Sequence, residues 1–227
     1  QNRTTARTSF SVSCQHLPFA VRAYRSFIAD FQSDSFELSL WELPIKEIFH
    51  DVNSGRSEIG VFLFRDDQVP DIRKSLYLHD LAYTELAQPS VHVFLNEAHP
   101  LADCRYLTPE DLMPYPCVTF DYRNSTEQNT SDIISFSDFS KYIHVCDRST
   151  KLALLKKGTA FCIGTELSVD SSSDMGNGIT AVQLHLQDRA ETVHAGYIVS
   201  RKHAVHELCQ HYIDFLTQEC IQTFSSK

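Results

Sequence analysis

The sequence contains little glycine and lacks the glycine-rich loops that bind phosphate groups. Only seven of its 227 residues are Gly, and none forms the G-x-G-x-x-G or G-x-x-x-x-G-K spacing that surrounds a phosphate with backbone N–H groups. The zinc-binding pattern H-E-x-x-H is also absent. These absences exclude the commonest nucleotide-binding and metalloprotease motifs, and we predict no cofactor, no metal ion and no catalytic residue.

Long hydrophobic runs are missing as well. No apolar stretch approaches the roughly 18 residues that a membrane-spanning helix needs, so we expect no membrane partner. The first ten residues, QNRTTARTSF, lack both the apolar core of a signal peptide and an initiator Met. We therefore expect a cytoplasmic domain that is a fragment or a processed product.

Positive charge is scarce, with 20 Lys and Arg against 29 Asp and Glu, a net charge of −9 and a pI of about 5.6. The average field of such a chain repels a polyanion such as DNA. The 42% hydrophobic and 22% charged residues are typical of a globular protein that buries its own core. Direct DNA binding by these residues is therefore not expected.

Cysteine is present, but not in a pattern that indicates disulfides or a zinc site. The seven positions are Cys14, Cys104, Cys117, Cys146, Cys162, Cys209 and Cys220. Their number is odd, no two have C-x-x-C spacing, and several fall in apolar segments. We interpret them as reduced, mostly buried thiols of a cytosolic protein.

The first 64 residues alternate between strand and helix patterns. The strand patterns are TSFSVSC (8–14), FELSLW (36–41) and EIGVFLF (58–64). Between them, apolar residues recur every three or four positions from Leu17 to Phe31 and from Ile45 to Val52, which predicts two helices. Gly55 is predicted to end the second helix. This β-α-β-α-β order predicts a mainly parallel α/β sheet.

The polar segment RDDQVPDIRKS (65–75) follows, and we interpret it as a crossing into a second lobe. Further strands are predicted at LAYTELA (81–87), SVHVFLN (90–96), CVTF (117–120), KYIHVC (141–146), TAFCIGT (159–165), ITAVQLHL (179–186) and TVHAGYIVS (192–200). Thr108 and Ser149 are predicted to cap two short helices. A long amphipathic helix containing Val205 and Cys220 closes the chain.

Polar side chains follow the first two strands. Cys14, Gln15 and His16 stand where the first strand meets the first helix, and Glu42 occupies the equivalent place one unit later. Ligands of open α/β sheets bind beyond the carboxyl ends of strands, whereas a thiol beside an imidazole is a candidate nucleophile. Because no oxyanion hole or third triad member is evident, we favour ligand contact over catalysis. Glu42 either binds a cationic or hydroxylated group or only complements the helix dipole.

The other histidines indicate no clear catalytic or metal-binding site. His203 and His206, three residues apart on the predicted last helix, have a spacing that can hold a metal ion. We prefer the interpretation that they flank the core-facing residues of that helix. His99, in the step His-Pro-Leu-Ala, is expected to be structural.

In their order, these segments resemble the effector-binding domain of LysR-type transcriptional regulators. The resemblance rests on the β-α-β-α-β lobe followed by VHVFLNEAHPLA (91–102), LTPEDLMPYPCVTF (107–120), KKGTAFCIGTE (156–166) and a closing strand and helix. The His-Pro-Leu-Ala step followed by Leu-x-x-x-Asp-Leu is its most specific part. The resemblance extends from about Thr8 to Phe224.

This resemblance implies an α/β, two-lobed, periplasmic-binding-protein-like (type 2) fold with two crossover strands. Lobe I then comprises residues 8–65 and 194–224, lobe II comprises 66–193, and a small effector binds in the cleft between them. The resemblance also implies a winged helix-turn-helix domain that precedes residue 1 and is absent from this chain. DNA is expected to be contacted only through that domain.

The same resemblance places effector-binding residues on four walls. They are Ser13, Cys14, Gln15, His16, Glu42, Leu43, Thr119, Phe120, Asp121, Ala160 and Phe161. Family members often hold a carboxylate with Ser or Thr on the first wall, and because Cys14, Gln15 and His16 follow Ser13, that preference does not carry over. The loop after the third wall has no Cys, unlike that of peroxide-sensing members.

The implied partners are an unidentified small-molecule effector and a second copy of the chain. The helix at about 17–31 is expected to pair with the helix at 149–157 of that copy, giving a homodimer and, at full length, a tetramer. We predict a ligand-sensing regulatory domain, not an enzyme, that couples the effector to this geometry. The alternatives are a solute-binding protein of a transport system and, less favoured, a hydrolase or transferase using Cys14.

Overall fold

The computed structural model describes residues 7–120, 139–169, 177–186 and 192–225. Its strands are β1 (Thr8–Cys14), β2 (Phe36–Glu42), β3 (Ile59–Arg65), β4 (Leu81–Ala87), β5 (Val91–Asn96), β6 (Tyr106–Leu107), β7 (Cys117–Phe120), β8 (Tyr142–Val145), β9 (Phe161–Thr165), β10 (Ile179–Leu184) and β11 (Val193–Ser200). Its α-helices are α1 (Pro18–Asp30), α2 (Ile45–Ser54), α3 (Val69–His79), α4 (Pro109–Leu112), α5 (Arg148–Leu155) and α6 (Glu207–Ser225). Short 3-10 helices lie at Asp66–Gln68 and Glu166–Ser168.

The chain folds into two compact units. The first comprises residues 1–62, 70–87 and 195–227, and the second comprises 63–69 and 88–194. The predicted second lobe includes all of residues 66–193, whereas the structure assigns residues 70–87 to the first unit. These residues form α3 and β4, and β4 pairs antiparallel with β11 in the sheet of the first unit.

The sheet of the first unit has the order β2-β1-β3-β11-β4. β1 is parallel to both β2 and β3, as the β-α-β-α-β pattern predicted. Every residue of β3 from Ile59 to Phe64 is buried, which agrees with its continuous apolar run. Against this sheet, α6 contributes Tyr212, whose ring lies 5.8 Å from that of Phe10 and 6.1 Å from that of Tyr24.

The helix α3 was not predicted, and its composition explains why. Val69, Ile72 and Leu76 recur at helical spacing, but Ile72 is the only buried residue of the helix and Pro70 and five charged or polar side chains surround it in the sequence. Tyr77 and Leu78 are instead 87% and 66% exposed. The segment that looked like a polar crossing is therefore a surface helix of the first unit.

Helix ends agree only in part with the sequence predictions. Gly55 ends α2 in the left-handed conformation (φ +74°), as predicted. The cap of α5 is Asp147 and not Ser149, because the Asp147 carboxylate accepts the backbone N–H of Thr150 at 2.8 Å. The helix α6 begins at Glu207, so His203 and His206 precede it and do not lie on it.

The second unit contains a mixed sheet with the order β6-β10-β5-β9-β7-β8. β5 is antiparallel to both β9 and β10, whereas β7 is parallel to β8 and β9. Its core includes Phe94, Val118, Leu155, Cys162 and Ile179. Thr108 precedes α4, as predicted, and forms a capping box with Asp111, whose carboxylate accepts the Thr108 N–H at 2.8 Å.

His99 is a structural residue, as expected from its place after β5. It is 4% exposed, and its ring stacks edge-on against Tyr115 with the centroids 4.4 Å apart. Its Nδ1 accepts the Leu101 N–H at 3.1 Å, and its Nε2 donates to the carbonyl of Thr159 at 3.2 Å. Both ring nitrogens thus hold the turn after β5 in place.

Candidate functional site

The carboxyl ends of β1 and β2 lie side by side at one edge of the first sheet. The two strands are parallel, and their register pairs Cys14 with Glu42. Each strand leads directly into a helix, because α1 begins at Pro18 and α2 at Ile45. Polar residues that follow the two strands therefore come together, which is the arrangement in which open α/β sheets bind ligands.

His16 and Glu42 form a hydrogen-bonded pair across this edge. Nδ1 of His16 lies 2.8 Å from Oε2 of Glu42, so the ring donates its Nδ1 proton to the carboxylate. The side chain of His16 is 8% exposed and that of Glu42 is 32% exposed. The backbone reinforces the contact, since the Leu43 N–H donates to the Cys14 carbonyl at 2.8 Å. The pair fixes the imidazole and leaves part of the carboxylate open.

The Cys14 thiol is enclosed and lacks the properties of a nucleophile. Its exposed fraction is 0%. Burial, and secondarily the negative charge of Glu42, raises the pKa of Cys14 well above its ordinary value. A nucleophilic Cys requires the opposite shift, because the thiolate is the reactive form. This environment argues against the hydrolase or transferase that uses Cys14.

We expect iodoacetamide at pH 8 to modify Cys104 and Cys146 rapidly and the other five thiols slowly. Only these two of the seven are exposed, and the raised pKa of Cys14 keeps its thiol protonated until the pH is far above neutral. Peptide mass spectrometry at timed intervals measures the rates, and unfolding in urea provides the control in which all seven react. Rapid labelling of Cys14 in the folded chain would reinstate the enzyme hypothesis.

Ser13 is engaged in a buried polar network next to α2. Its hydroxyl donates to Oδ2 of Asp51 at 3.3 Å and lies 2.7 Å from the hydroxyl of Ser57. Asp51 also pairs with Arg56 at 2.8 Å. Because the Ser13 side chain is fully buried within this network, its predicted contact with a ligand remains a prediction. Gln15, also buried, donates its backbone N–H to β3.

In the second unit, Thr119 and Phe120 end β7, and both are buried, at 3% and 6% exposure. The ammonium of Lys151 lies 4.2 Å from the centroid of the Phe120 ring, which is a cation–π contact. Asp121, predicted to belong to the same wall, lies outside the described residues. These two residues occupy the strand end at which the sequence predicted them.

Ala160 and Phe161 lie at the amino end of the parallel strands of the second sheet, whereas Thr119 and Phe120 lie at the carboxyl end. β9 begins at Phe161, which pairs with Cys117 at the start of β7. With about 3.3 Å per residue, the end of β7 at Phe120 is therefore roughly 10 Å away along the strands. The prediction that Ala160 and Phe161 share an effector with Thr119 and Phe120 stays a prediction. The carboxyl end of β9 is Thr165, whose hydroxyl lies 3.2 Å from that of Ser168. The rule that ligands bind at carboxyl ends would have selected Thr165 from the sequence.

No metal-binding cluster is present in the described ranges, because no three His, Cys, Asp or Glu side chains there are placed to hold one ion. His206, part of the possible metal pair, lies with Nε2 3.9 Å from Oε1 of Glu58. No helix in the described part of the chain is both long enough and apolar enough to cross a membrane.

The similarity to known proteins is structural. No protein-family profile matches the sequence, and no curated protein sequence matches it. The reduced OxyR regulatory domain from Pseudomonas aeruginosa matches with a TM-score of 0.64 and 9% identity, over 96% of each chain. The QuiR effector-binding domain in complex with shikimate matches with a TM-score of 0.59 and 11% identity, over 96% of this chain and 99% of that one.

HinK, a LysR family transcriptional regulator from Pseudomonas aeruginosa, matches with a TM-score of 0.58 and 13% identity, over 96% of this chain and 72% of that one. At such low identity, these similarities show the fold. The chain has the α/β, periplasmic-binding-protein-like (type 2) fold of LysR-type effector-binding domains. The resemblance inferred from the sequence is thereby confirmed at the level of the fold.

Proposed function

We propose that this chain is the effector-binding domain of a LysR-type transcription regulator and not an enzyme. The fold shared over 96% of the chain supports the assignment to this class of protein. The observation that carries the binding function is the His16–Glu42 pair, which places a fixed imidazole and a partly open carboxylate where two parallel strands end. A buried, protonated Cys14 beside this pair supports binding without turnover.

The chemistry of the pair favours an effector that carries hydrogen-bond donors. QuiR was solved with shikimate, a hydroxylated acid. In this chain, the open part of the Glu42 carboxylate only accepts hydrogen bonds, so a hydroxyl or ammonium group fits against it and a carboxylate is repelled. We propose that the effector presents a hydroxyl or amine group to Glu42.

We expect Glu42→Gln to weaken effector binding about tenfold, because a hydrogen bond to a charged acceptor contributes roughly 1.5–3 kcal/mol. The effector is first sought by screening small hydroxylated compounds and amines for those that raise the thermal unfolding temperature of the chain. Shikimate and myo-inositol, which are hydroxylated rings with and without a carboxylate, are the first two compounds. Titration calorimetry then gives the affinity of each compound that stabilises the chain.

Glu37→Gln is the matched control, since Glu37 lies on the same strand, is exposed and pairs with Arg7 at 3.0 Å. Its affinity for the effector should equal that of the unaltered chain. Equal affinity in Glu42→Gln would instead exclude the strand ends of β1 and β2 as the binding site. The sequence-based prediction that one effector also contacts Thr119 and Phe120 stays a prediction.

We also propose a homodimer that uses the outer face of α1. Val21 and Ile28 on this helix are 40% and 43% exposed, and Arg25 is exposed as well. On the predicted partner helix α5, Ser149 and Ala153 are exposed and small. Light scattering over a range of concentrations tests the dimer, and the mass of a single chain at every concentration would exclude it.

The remaining parts of the proposal follow from the role of a regulator. DNA contact is assigned to a winged helix-turn-helix domain that precedes residue 1 in the full-length protein, and cytoplasmic location follows from that role. Coupling of the effector to dimer or tetramer geometry remains a prediction. A solute-binding protein is less well supported, because all seven cysteines are free thiols, which are uncommon in oxidising compartments.

A further inference from the structure

A cavity lies within the first unit, away from the His16–Glu42 pair. Its volume is about 350 Å³, within the range of small-molecule sites. It is lined by the end of α2, the residues before β3, the end of β11 and the segment that leads into α6. Its lining includes Val52, Glu58, Val199, Ala204, Val205 and His206.

This cavity is at the opposite edge of the sheet from the proposed effector site. Glu58 precedes β3 and exchanges hydrogen bonds with Ser11 in the middle of β1. Cys14, at the carboxyl end of β1, is three residues further on, which corresponds to about 10 Å of strand. Ligands at the two places would therefore perturb different residues.

One carboxylate oxygen of Glu58 accepts a hydrogen bond from the described residues, and the other does not. Oε2 accepts the backbone N–H of Ser11 at 2.7 Å. Nε2 of His206 lies 3.9 Å from Oε1, which is too long for a hydrogen bond. Among the residues that the structure describes, no donor is within hydrogen-bond distance of Oε1. The side chain is 29% exposed, so this oxygen is accessible to a small molecule.

The His206 ring is held by the start of α6 and not by Glu58. Its Nδ1 accepts the backbone N–H of Cys209 at 3.3 Å and so caps the start of α6. Its other nitrogen, Nε2, is 3.9 Å from Oε1 of Glu58 and makes no hydrogen bond to it. Oε1 is therefore left open to a donor from a ligand.

The nearby cations are directed elsewhere. The ammonium of Lys202 donates to Asn53 at 3.0 Å, and the guanidinium of Arg56 pairs with Asp51 at 2.8 Å. The carboxyl end of α2, which also borders the cavity, presents the negative end of the helix dipole. The local field in the cavity consequently favours a cation.

We propose that this cavity binds a small organic amine with an apolar body. The ammonium group donates to Oε1 of Glu58, and the apolar body packs against Val52, Val199 and Val205. The site is separate from the proposed effector site and does not depend on it. Its ligand is thus recognised by the one carboxylate of a cavity that is lined by Val52, Val199, Ala204 and Val205 together with polar residues.

Cyclohexylamine and cyclohexanecarboxylate are suitable probes, since they share a ring and differ in charge. We expect increasing cyclohexylamine to shift the backbone amide signals of Glu58, Val199 and His206 in ¹⁵N-labelled protein at neutral pH. The carboxylate should leave these signals in place at the same concentration. Glu58→Gln should weaken amine binding at least tenfold, whereas Glu47→Gln, an exposed acid at the other end of α2, should not.

Two features of the variants distinguish loss of the ligand site from loss of the fold. A Gln at position 58 still has an oxygen that accepts the Ser11 N–H, so the fold should be retained. Ala204→Trp, at an exposed lining position, provides a second variant that fills the cavity and should abolish the amine-induced shifts. Absence of shifts with the amine, equal binding of the carboxylate, unchanged affinity in Glu58→Gln, or shifts confined to His16 and Glu42 would each overturn the proposal.

Discussion

Replacing Tyr212 with Ala is expected to lower the free energy of unfolding by about 3–5 kcal/mol, the range for removing a buried aromatic ring. Tyr212 is 0% exposed on α6, and its ring lies 5.8 Å from that of Phe10 and 6.1 Å from those of Tyr24 and Phe27. Its hydroxyl also donates to the carbonyl of Ala20 at 3.2 Å. The substitution leaves a cavity between β1, α1 and α6.

Urea unfolding followed by far-ultraviolet circular dichroism measures this effect. Tyr212→Phe keeps the ring and removes only the hydrogen bond to α1, so we expect a loss of about 1 kcal/mol. Ile221→Ala, on the same helix but 61% exposed, should change stability by less than about 0.5 kcal/mol. A loss in Tyr212→Ala no larger than in Ile221→Ala would show that α6 does not hold the core of the first unit together.

Gly196→Ala is expected to destabilise the protein by about 3 kcal/mol or more. A Cβ atom at this position would lie 2.3 Å from the backbone oxygen of Thr84 and 2.5 Å from the ring and hydroxyl of Tyr83. Overpacking of this kind usually costs about 1–3 kcal/mol, and here the obstacle includes backbone of the paired strand. From Gly196 to Ser200, β11 pairs in continuous register with β4, and this pairing keeps the backbone of Thr84 close to Gly196.

Gly164→Ala is the matched comparison in the second unit. Its Cβ would meet the Ser168 side chain at 3.1 Å and the Phe94 ring at 3.3 Å, which are side-chain atoms able to move by a few tenths of an ångström. We expect a loss of no more than about 1–2 kcal/mol in the same urea experiment. A loss in Gly196→Ala equal to or below that of Gly164→Ala would mean that β4 can move away from β11.

Much of the first unit could be predicted because its signals are local. Alternation in β1, the continuous apolar run of β3 and the left-handed Gly55 after α2 each depend on neighbours a few residues away. Such patterns reflect which face of an element is buried, and that information is carried by the residues themselves. The order of elements followed from them, and the resemblance to LysR-type domains followed from the order.

The failures occurred where the decisive contact is distant in sequence. The helix α3 buries only Ile72, so its pattern did not distinguish it from a polar crossing. The strand β4 was assigned to the wrong sheet because its partner, β11, begins more than a hundred residues later.

For the candidate site, the sequence by itself determined which polar residues follow β1 and β2, because strand and helix patterns bracket them. Only the tertiary structure decided that His16 and Glu42 meet at 2.8 Å while Ser13 turns toward Asp51. The physical reason is that the parallel register of β1 and β2 and the alternation of side chains across a strand set these directions. Register depends on the packing of the whole sheet, whereas the identity of a strand end depends on a few adjacent residues.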